Sequence, residues 1–398
     1  LHDALPIFLA ELSQFRNKLG MINKKAMNQK ATEAMRAIGV EHVTGDMPIA
    51  SLDFQTRKLV EIAKVMLKNP DILVIDETST ALSQDGREIM YSLIRKLRDS
   101  GKAIIFISHD LEEIMEVCDT LTVLRDGNLI RTFKKEEFNA DEIRTSMIGR
   151  ELQGDYYRSD FTPSSQKEAA ITATNLKYKE ELKSVSITLK KGEILGIGGL
   201  AACGMHTLGK AMFGALALEE GEVTTYDGTK INSPHIAVAN KIGYVSKDRD
   251  VESLCLSASI QDNIAVGGME KYAVNGFLIT NKKEKEYVAK QIKDLSIKCS
   301  DGDQLTSQLS GGNKQKVVFG KWIGCGSEIL ILDCPTRGVD IGVKQSMYQL
   351  MMELKKEGKA ILLISEELPE LLGMSDRLLI MKDGSITGEF MRSESLTD

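Results

Sequence analysis

The chain has 398 residues, 42% hydrophobic and 27% charged, an ordinary globular composition with length enough for two or three domains with sizeable cores. A formal net charge of −6 and a pI of about 5.6 speak against a general nucleic-acid binder, whose footprint would be a basic patch or stripe; the basic run from Arg16 to Lys30 reads as a solvated helix face. The longest apolar runs, such as AILLIS at 360–365, fall far short of the roughly 18 residues a membrane span needs, and no secretory signal opens the chain. Six cysteines (Cys118, Cys203, Cys255, Cys299, Cys325 and Cys334) are scattered without a CxxC pair, so they suggest neither a disulfide framework nor a zinc site, and a reducing cytoplasm fits them best.

In chain order, ASLDFQTRKLVEIAK at 50–64 enters a helix, DILVIDETSTALS at 71–83 reads as a strand leading to Asp76 and Glu77, and REIMYSLIRKLRDSGKA at 87–103 is amphipathic. KAIIFISHDLEEI carries His109, and LTVLRDGNL carries Gly127. The second half then repeats the first. EILILDCPTRGVD places Asp333 opposite Asp76 (333 − 76 = 257), and KAILLISEELPEL places Glu366 opposite His109 (366 − 109 = 257). LLIMKDGSI sets Gly384 opposite Gly127, and SQLSGGNKQKVVFGK sets Ser310 opposite Asp53, both again at 257. Four motifs in one register mean two copies of one domain, each alternating β-branched strands with crossover helices, the pattern of an α/β sheet. The stretch 154–168, polar and without either period, is the expected linker between a first domain at 1–153 and a second at 169–398.

LSGGNKQK at 309–316 is either a Gly-rich turn before a helix or a phosphate contact made by a helix N-terminus and a hydroxyl. Together with the LILD and KAILLIS strands it resembles the signature motif of ATP-binding-cassette ATPases, and the resemblance covers nearly the whole chain. DCPTRGVDIGVK, ISEELPELLGMSDR and the fused pair of domains look, more narrowly, like the twin-cassette subunit of bacterial monosaccharide importers of the ribose and galactose type. The expected fold is thus α/β, two tandem P-loop NTPase cassettes, the first incomplete. In that family two cassettes meet head to tail, and each ATP lies between one cassette's phosphate loop and Walker B carboxylates and the other's signature.

The resemblance implies two unequal sites. One takes Asp76 for magnesium, Glu77 to polarise the attacking water, His109 as the switch residue, and the signature Ser310, Gly311 and Gly312. An edge carboxylate and a surface histidine are the plain alternatives for Glu77 and His109. The other site uses GGLAACGMH, where Gly199 and Gly204 keep the frame of GxxxxGK[ST] but Met205 replaces the Lys and His206 the Ser/Thr. Its base position is Cys334, its switch position Glu366, and its opposing signature position Asp53, so it is expected to be degenerate and non-hydrolytic.

Counting back 257 from Met205 puts the first phosphate loop near −52, before Leu1; a start at Leu rather than Met and a stop at Asp398 without a closing element are expected of a fragment at both ends. Residues 7–25 resemble the family's helical-subdomain entry, whereas Leu1 to Pro6 resemble nothing in it. Tyr178 is read as an adenine-stacking or strand-edge tyrosine, and Lys247-Asp248-Arg249 as a contact to a membrane subunit or a charged turn. The cofactors implied are ATP and magnesium. The partners implied are a membrane permease dimer and an extracytoplasmic sugar-binding protein, with no nucleic acid, and the location is the cytoplasmic membrane face, peripherally. The rival readings are a twin-cassette ATPase outside transport and a regulatory module that binds nucleotide without turnover.

Overall fold

The computed structural model describes residues 6–78, 82, 84–108, 110–125, 127–148, 156–161, 163, 166–200, 202–273, 278–394 and 396. The chain divides into two compact units, Leu1–Glu151 and Leu152–Asp398.

In the first unit, helix α1 (Lys24–Ala37) starts at Asn23, whose side-chain oxygen accepts the Ala26 N–H and satisfies one orphan donor of the first turn. Its buried residues Met27, Ala31, Ala34 and Met35 recur at three- and four-residue steps, so one stripe meets Leu59, Val60 and Ala63 of α2 (Phe54–Met66). There follow β1 (Ile72–Asp76), α3 (Gln84–Asp99), β2 (Ala103–Ile107), α4 (Leu111–Val117), β3 (Thr120–Arg125), β4 (Asn128–Lys134) and α5 (Ala140–Ile148). β1 and β2 pair in parallel, and β3 and β4 form an antiparallel hairpin.

The second unit opens with β5 (Ala169–Tyr178), β6 (Leu182–Lys190) and β7 (Ile194–Gly199), then α6 (Met205–Met212), β8 (Glu220–Thr225), α7 (Pro234–Ala239) and β9 (Ile242–Val245). A helical region follows: α8 (Ile260–Ala265), α9 (Met269–Tyr272), α10 (Asn281–Asp294) and α11 (Gly311–Gly324). The chain returns to the sheet through β10 (Ile329–Asp333), α12 (Ile341–Lys356), β11 (Ala360–Ile364), α13 (Leu368–Met374), β12 (Arg377–Lys382) and β13 (Ser385–Met391). The central sheet runs β13-β12-β7-β11-β10-β9, parallel apart from the β12/β13 hairpin, and a three-stranded antiparallel sheet β6-β5-β8 accompanies it.

Because successive side chains of a strand point to opposite faces, the apolar runs feed two cores at once. Ile329 and Ile331 of β10 with Leu362 and Ile364 of β11 enter one; Leu330, Leu332, Ile361 and Leu363 enter the other. All five residues of each strand are buried, which is why they read as continuous apolar runs rather than alternating ones. A buried ion cluster closes the amino end of the sheet. Asp376, 2% exposed in its side chain, accepts from Arg158 Nη1 at 2.8 Å, Lys355 Nζ at 2.7 Å and the Ile194 N–H at 2.8 Å. Residues 156–160, within the expected linker, therefore pack on the second unit, with Tyr156 and Tyr157 against Tyr348.

The repeat is carried into the structure element by element. Ile72 pairs with Ala103 and Ile329 with Ala360, both shifted by 257; Thr120 with Lys134 and Arg377 with Met391 keep the same offset, as do the irregularities at Val123 and Ile380. The units differ in what covers the strands. β10 lies between β9 and β11, whereas β1 pairs only with β2 among the described residues, and Ile72 (64%), Val74 (57%) and Ile105 (52%) are exposed. An apolar strand face open to water attracts hydrophobic partners. Ile72→Thr with Ile105→Thr is expected to reduce binding of a hydrophobic dye and slow aggregation, with stability within about 0.5 kcal/mol, as for surface changes generally. Unchanged dye fluorescence would show that this face is covered in solution.

Candidate functional site

The carboxyl ends of parallel strands, where loops leave the sheet, are where α/β folds assemble ligand sites. In the second unit β7, β9, β10 and β11 all end on one side, and each end contributes a residue singled out in the sequence or its neighbour.

The loop from β7 to α6 keeps both glycines of its frame, for reasons of packing. A Cβ at Gly199 would stand 2.4 Å from the Met381 carbonyl oxygen and 2.6 Å from Cys203 Sγ. Gly204, at φ +99°, adopts a left-handed conformation that side chains disfavour, and a Cβ there would meet the Glu181 carbonyl oxygen at 2.2 Å. Met205 is buried, so the position that a phosphate-gripping lysine would fill is an apolar plug.

His206, next on α6, turns to the end of β10. Its Nδ1 lies 2.7 Å from Asp333 Oδ1, and Tyr244 OH donates to Asp333 Oδ2 at 3.1 Å, so both oxygens of a carboxylate 1% exposed are engaged. The other ring nitrogen faces the end of β11, with Nε2 3.4 Å from Glu366 Oε1. Lys247, two residues past β9, closes the group: its Nζ is 2.6 Å from Glu366 Oε1 and 3.1 Å from His206 Nε2. Burial opposes a charge on His206, yet the hydrogen bonds to Asp333 and Glu366 carry its pKa above the ordinary imidazole value.

Glu366 is held down to about 2 by the His206 hydrogen bond, against burial, with the Lys247 hydrogen bond adding to it. A depressed carboxyl pKa stabilises the fold above the unfolded value of 4.5, and that contribution is lost as pH falls toward about 2. The urea midpoint of the parent should therefore exceed that of Glu366→Gln at neutral pH, and the gap should close between 4.5 and about 2. The gap is modest, because the side chain is 42% exposed and its ion pairs are screened. A gap that persisted at the acid end would contradict the ion-pair role.

Cys334 stands at φ +48°, its N–H donating to the Ile364 carbonyl at 2.8 Å. Burial, and then the neighbouring Asp333 charge, pushes its thiol well above the ordinary range, so it is a neutral thiol and no base. The first unit repeats this geometry with a different residue: Glu77 stands at φ +45°, its N–H on the Ile107 carbonyl at 2.9 Å. Asp76 and Glu77 are exposed at the end of β1. His109 lies outside the described residues.

The two signature positions are both helix caps. Ser310 begins α11, its Oγ accepting from Asn313 Nδ2 at 3.0 Å; Asp53 begins α2, its Oδ1 accepting the Thr56 N–H at 2.6 Å. A Cβ at Gly311 would come within 2.8 Å of Arg249 Nη2, and one at Gly312 within 2.7 Å of Val343 Cγ2. Arg249 bridges α11 to the loop after β10, donating to the Arg337 carbonyl at 2.9 Å and to Gln315 Oε1 at 3.4 Å. Of the charged triplet 247–249, then, Lys247 and Arg249 bind within the second unit. Tyr178 is half-buried against the sheet core, with Lys179 Nζ 5.0 Å from its ring centroid.

Magnesium takes oxygen ligands in near-octahedral geometry. Asp76 and Glu77 supply exposed oxygens of that kind. The second unit does not fit: His206 and Cys334 bring nitrogen and sulfur, and the oxygens of Asp333 already have partners.

The family described as ABC transporter matches residues 182–337. The ribose import ATP-binding protein RbsA of Clostridium tetani is 36% identical over 380 residues, 94% of this chain and 74% of that protein. Its counterpart in Lactococcus lactis subsp. cremoris is 39% identical over 383 residues, 96% of this chain and 77% of that protein. Among solved structures, a dimeric ATP-binding cassette in a post-hydrolysis state, bound to ADP and Pi, aligns with a TM-score of 0.50 at 22% identity, over 56% of this chain and 98% of that one, a likeness of fold. No helix among the described residues is long and apolar enough to cross a membrane.

Proposed function

The chain belongs to the ATP-binding-cassette transporter family, among the ATP-binding subunits of carbohydrate importers, and on that premise we propose an unequal division of labour between its two units. The first unit carries the hydrolytic set: Asp76 to hold magnesium, Glu77 to polarise the attacking water, and His109 to sense the γ-phosphate. Ser310, Gly311 and Gly312 present a serine-capped helix start to the ATP of an opposing cassette. The second unit, with Met205, His206, Cys334 and Glu366 in place of the usual groups, does not hydrolyse. One observation carries this reading: Glu77 and Cys334 occupy the same left-handed backbone position after equivalent strands, one an exposed carboxylate and the other a buried thiol.

The partners are a permease dimer in the membrane and a sugar-binding protein on its far side, with this subunit on the cytoplasmic face. The name of the relatives makes ribose the first cargo to try. The test is ATP-driven uptake of labelled ribose and other monosaccharides into vesicles bearing the subunit with its permease, supplied with the binding protein. ATP hydrolysis indifferent to permease and binding protein would remove the transport reading and leave an ATPase of another kind.

A further inference from the structure

The carboxyl-end cluster of the second unit has a charge arrangement that the division of labour does not account for. Where a divalent cation and hydroxyl would be expected, the chain presents two nitrogen groups, His206 and Lys247, set between two carboxylates, Asp333 and Glu366. They come from four different segments: α6, the turn after β9, the end of β10 and the end of β11. We infer that the second unit takes the phosphates of a nucleotide without a divalent metal, the side chains of His206 and Lys247 standing in for the cation.

The physical case has three parts. Asp333 is buried, with a partner on each oxygen at 2.7 and 3.1 Å, so a metal could bind only by breaking those bonds and stranding His206 beside a new positive charge. Magnesium also loses its water reluctantly, and 1% exposure at Asp333 leaves little room for its remaining waters. Lys247, only 25% exposed in its side chain, brings its ammonium group within 3.1 Å of His206 in the first turn of α6, and a helix N-terminus favours an anion. The same arrangement argues against a softer metal at His206, Asp333 and Cys334, whose donor atoms lie within 4.8 Å of one another: the ring nitrogen and carboxylate oxygen it needs are bonded to each other.

The inference rests on the reading that the loop at 199–204 takes a nucleotide, and the test separates the two. ATP binding to the chain is measured by calorimetry in magnesium and in EDTA, for the parent, for Lys247→Glu and for His206→Thr/Lys247→Gln. The parent is expected to bind equally in both buffers, to within about two-fold, and Lys247→Glu to lose at least about ten-fold in EDTA, which places the binding at this cluster. The double variant, which frees one oxygen of Asp333 and adds a hydroxyl, should become metal-dependent by about ten-fold or more. A parent that loses ten-fold in EDTA overturns the inference and leaves the nucleotide reading standing; no ATP binding in either buffer overturns both. A double variant as indifferent to EDTA as the parent, or a thiolate-to-metal absorption band on adding cobalt(II) that Cys334→Ser abolishes, would also overturn it.

Discussion

In the full-length subunit, replacing Glu77 by Gln is expected to lower steady ATP turnover of the assembled transporter by about 10² to 10⁴, the scale of losing a general base, while Cys334→Ala leaves turnover close to the parent's. The two residues sit at one place in the repeat, 334 − 77 = 257, on the same left-handed backbone, with the same N–H bond to the neighbouring strand. Glutamine preserves the size of Glu77 and its hydrogen-bonding reach, so a fall in rate reports the lost carboxylate rather than a damaged fold. Cys334 has the opposite character: a buried neutral thiol can neither accept a proton from water nor present a charge to it. Phosphate release at saturating magnesium-ATP gives the comparison. Equal losses from both substitutions would mean that the live site has been misplaced.

Ser310→Asp is expected to abolish most ATP turnover while leaving α11 intact, and Asp53→Ser to leave turnover unchanged or slightly raised. Both positions cap helices, and Asp and Ser are about equally good caps, so each exchange preserves the helix start; removing a cap outright would cost about 1 kcal/mol. What changes is charge. On the proposed pairing, a carboxylate at 310 would face the γ-phosphate of the opposing cassette's ATP, and like-charge repulsion there would be severe. On the proposed pairing, Asp53 already offers such a carboxylate at the counterpart position, 257 residues earlier. Turnover of the two variants, with circular dichroism to monitor helix content, decides between the paired arrangement and a cassette acting alone, for which position 310 would not matter. Greater damage from Asp53→Ser would invert the assignment of sites.

Much of this was legible in the sequence, because the repeat carries its own register: strands that pair in the fold are displaced by one constant number, and apolar runs such as Ile329 to Leu332 announce burial on both faces. The departures at Met205, His206, Cys334 and Glu366 could be read singly. That His206, Asp333, Glu366 and Lys247 would find one another could not, since the His206–Asp333 contact spans 127 residues and no periodicity links them. By sequence alone Lys247 offers itself only as a subunit contact or part of a charged turn. In the sequence the glycines at 199 and 204 stand only as the frame of a phosphate-loop motif, whereas carbonyl oxygens 2.4 and 2.2 Å from their absent Cβ positions give a packing reason for both. Distances of that kind exist only once the chain is folded.

The ion cluster around Asp376 decides where the second unit can be separated from the rest of the chain. Arg158 is wholly buried in its side chain, its carbonyl accepts from Arg392 Nη2 at 3.1 Å, and its guanidinium donates to Asp376 Oδ1 at 2.8 Å. A fragment begun at the first strand, Ala169, would carry both acceptor and clamp without the arginine between them. A protease sampling the native protein should accordingly find no stable cut between Tyr156 and Asp160, and the smallest durable piece of this half begins upstream of that pair of tyrosines, well before any residue of the sheet.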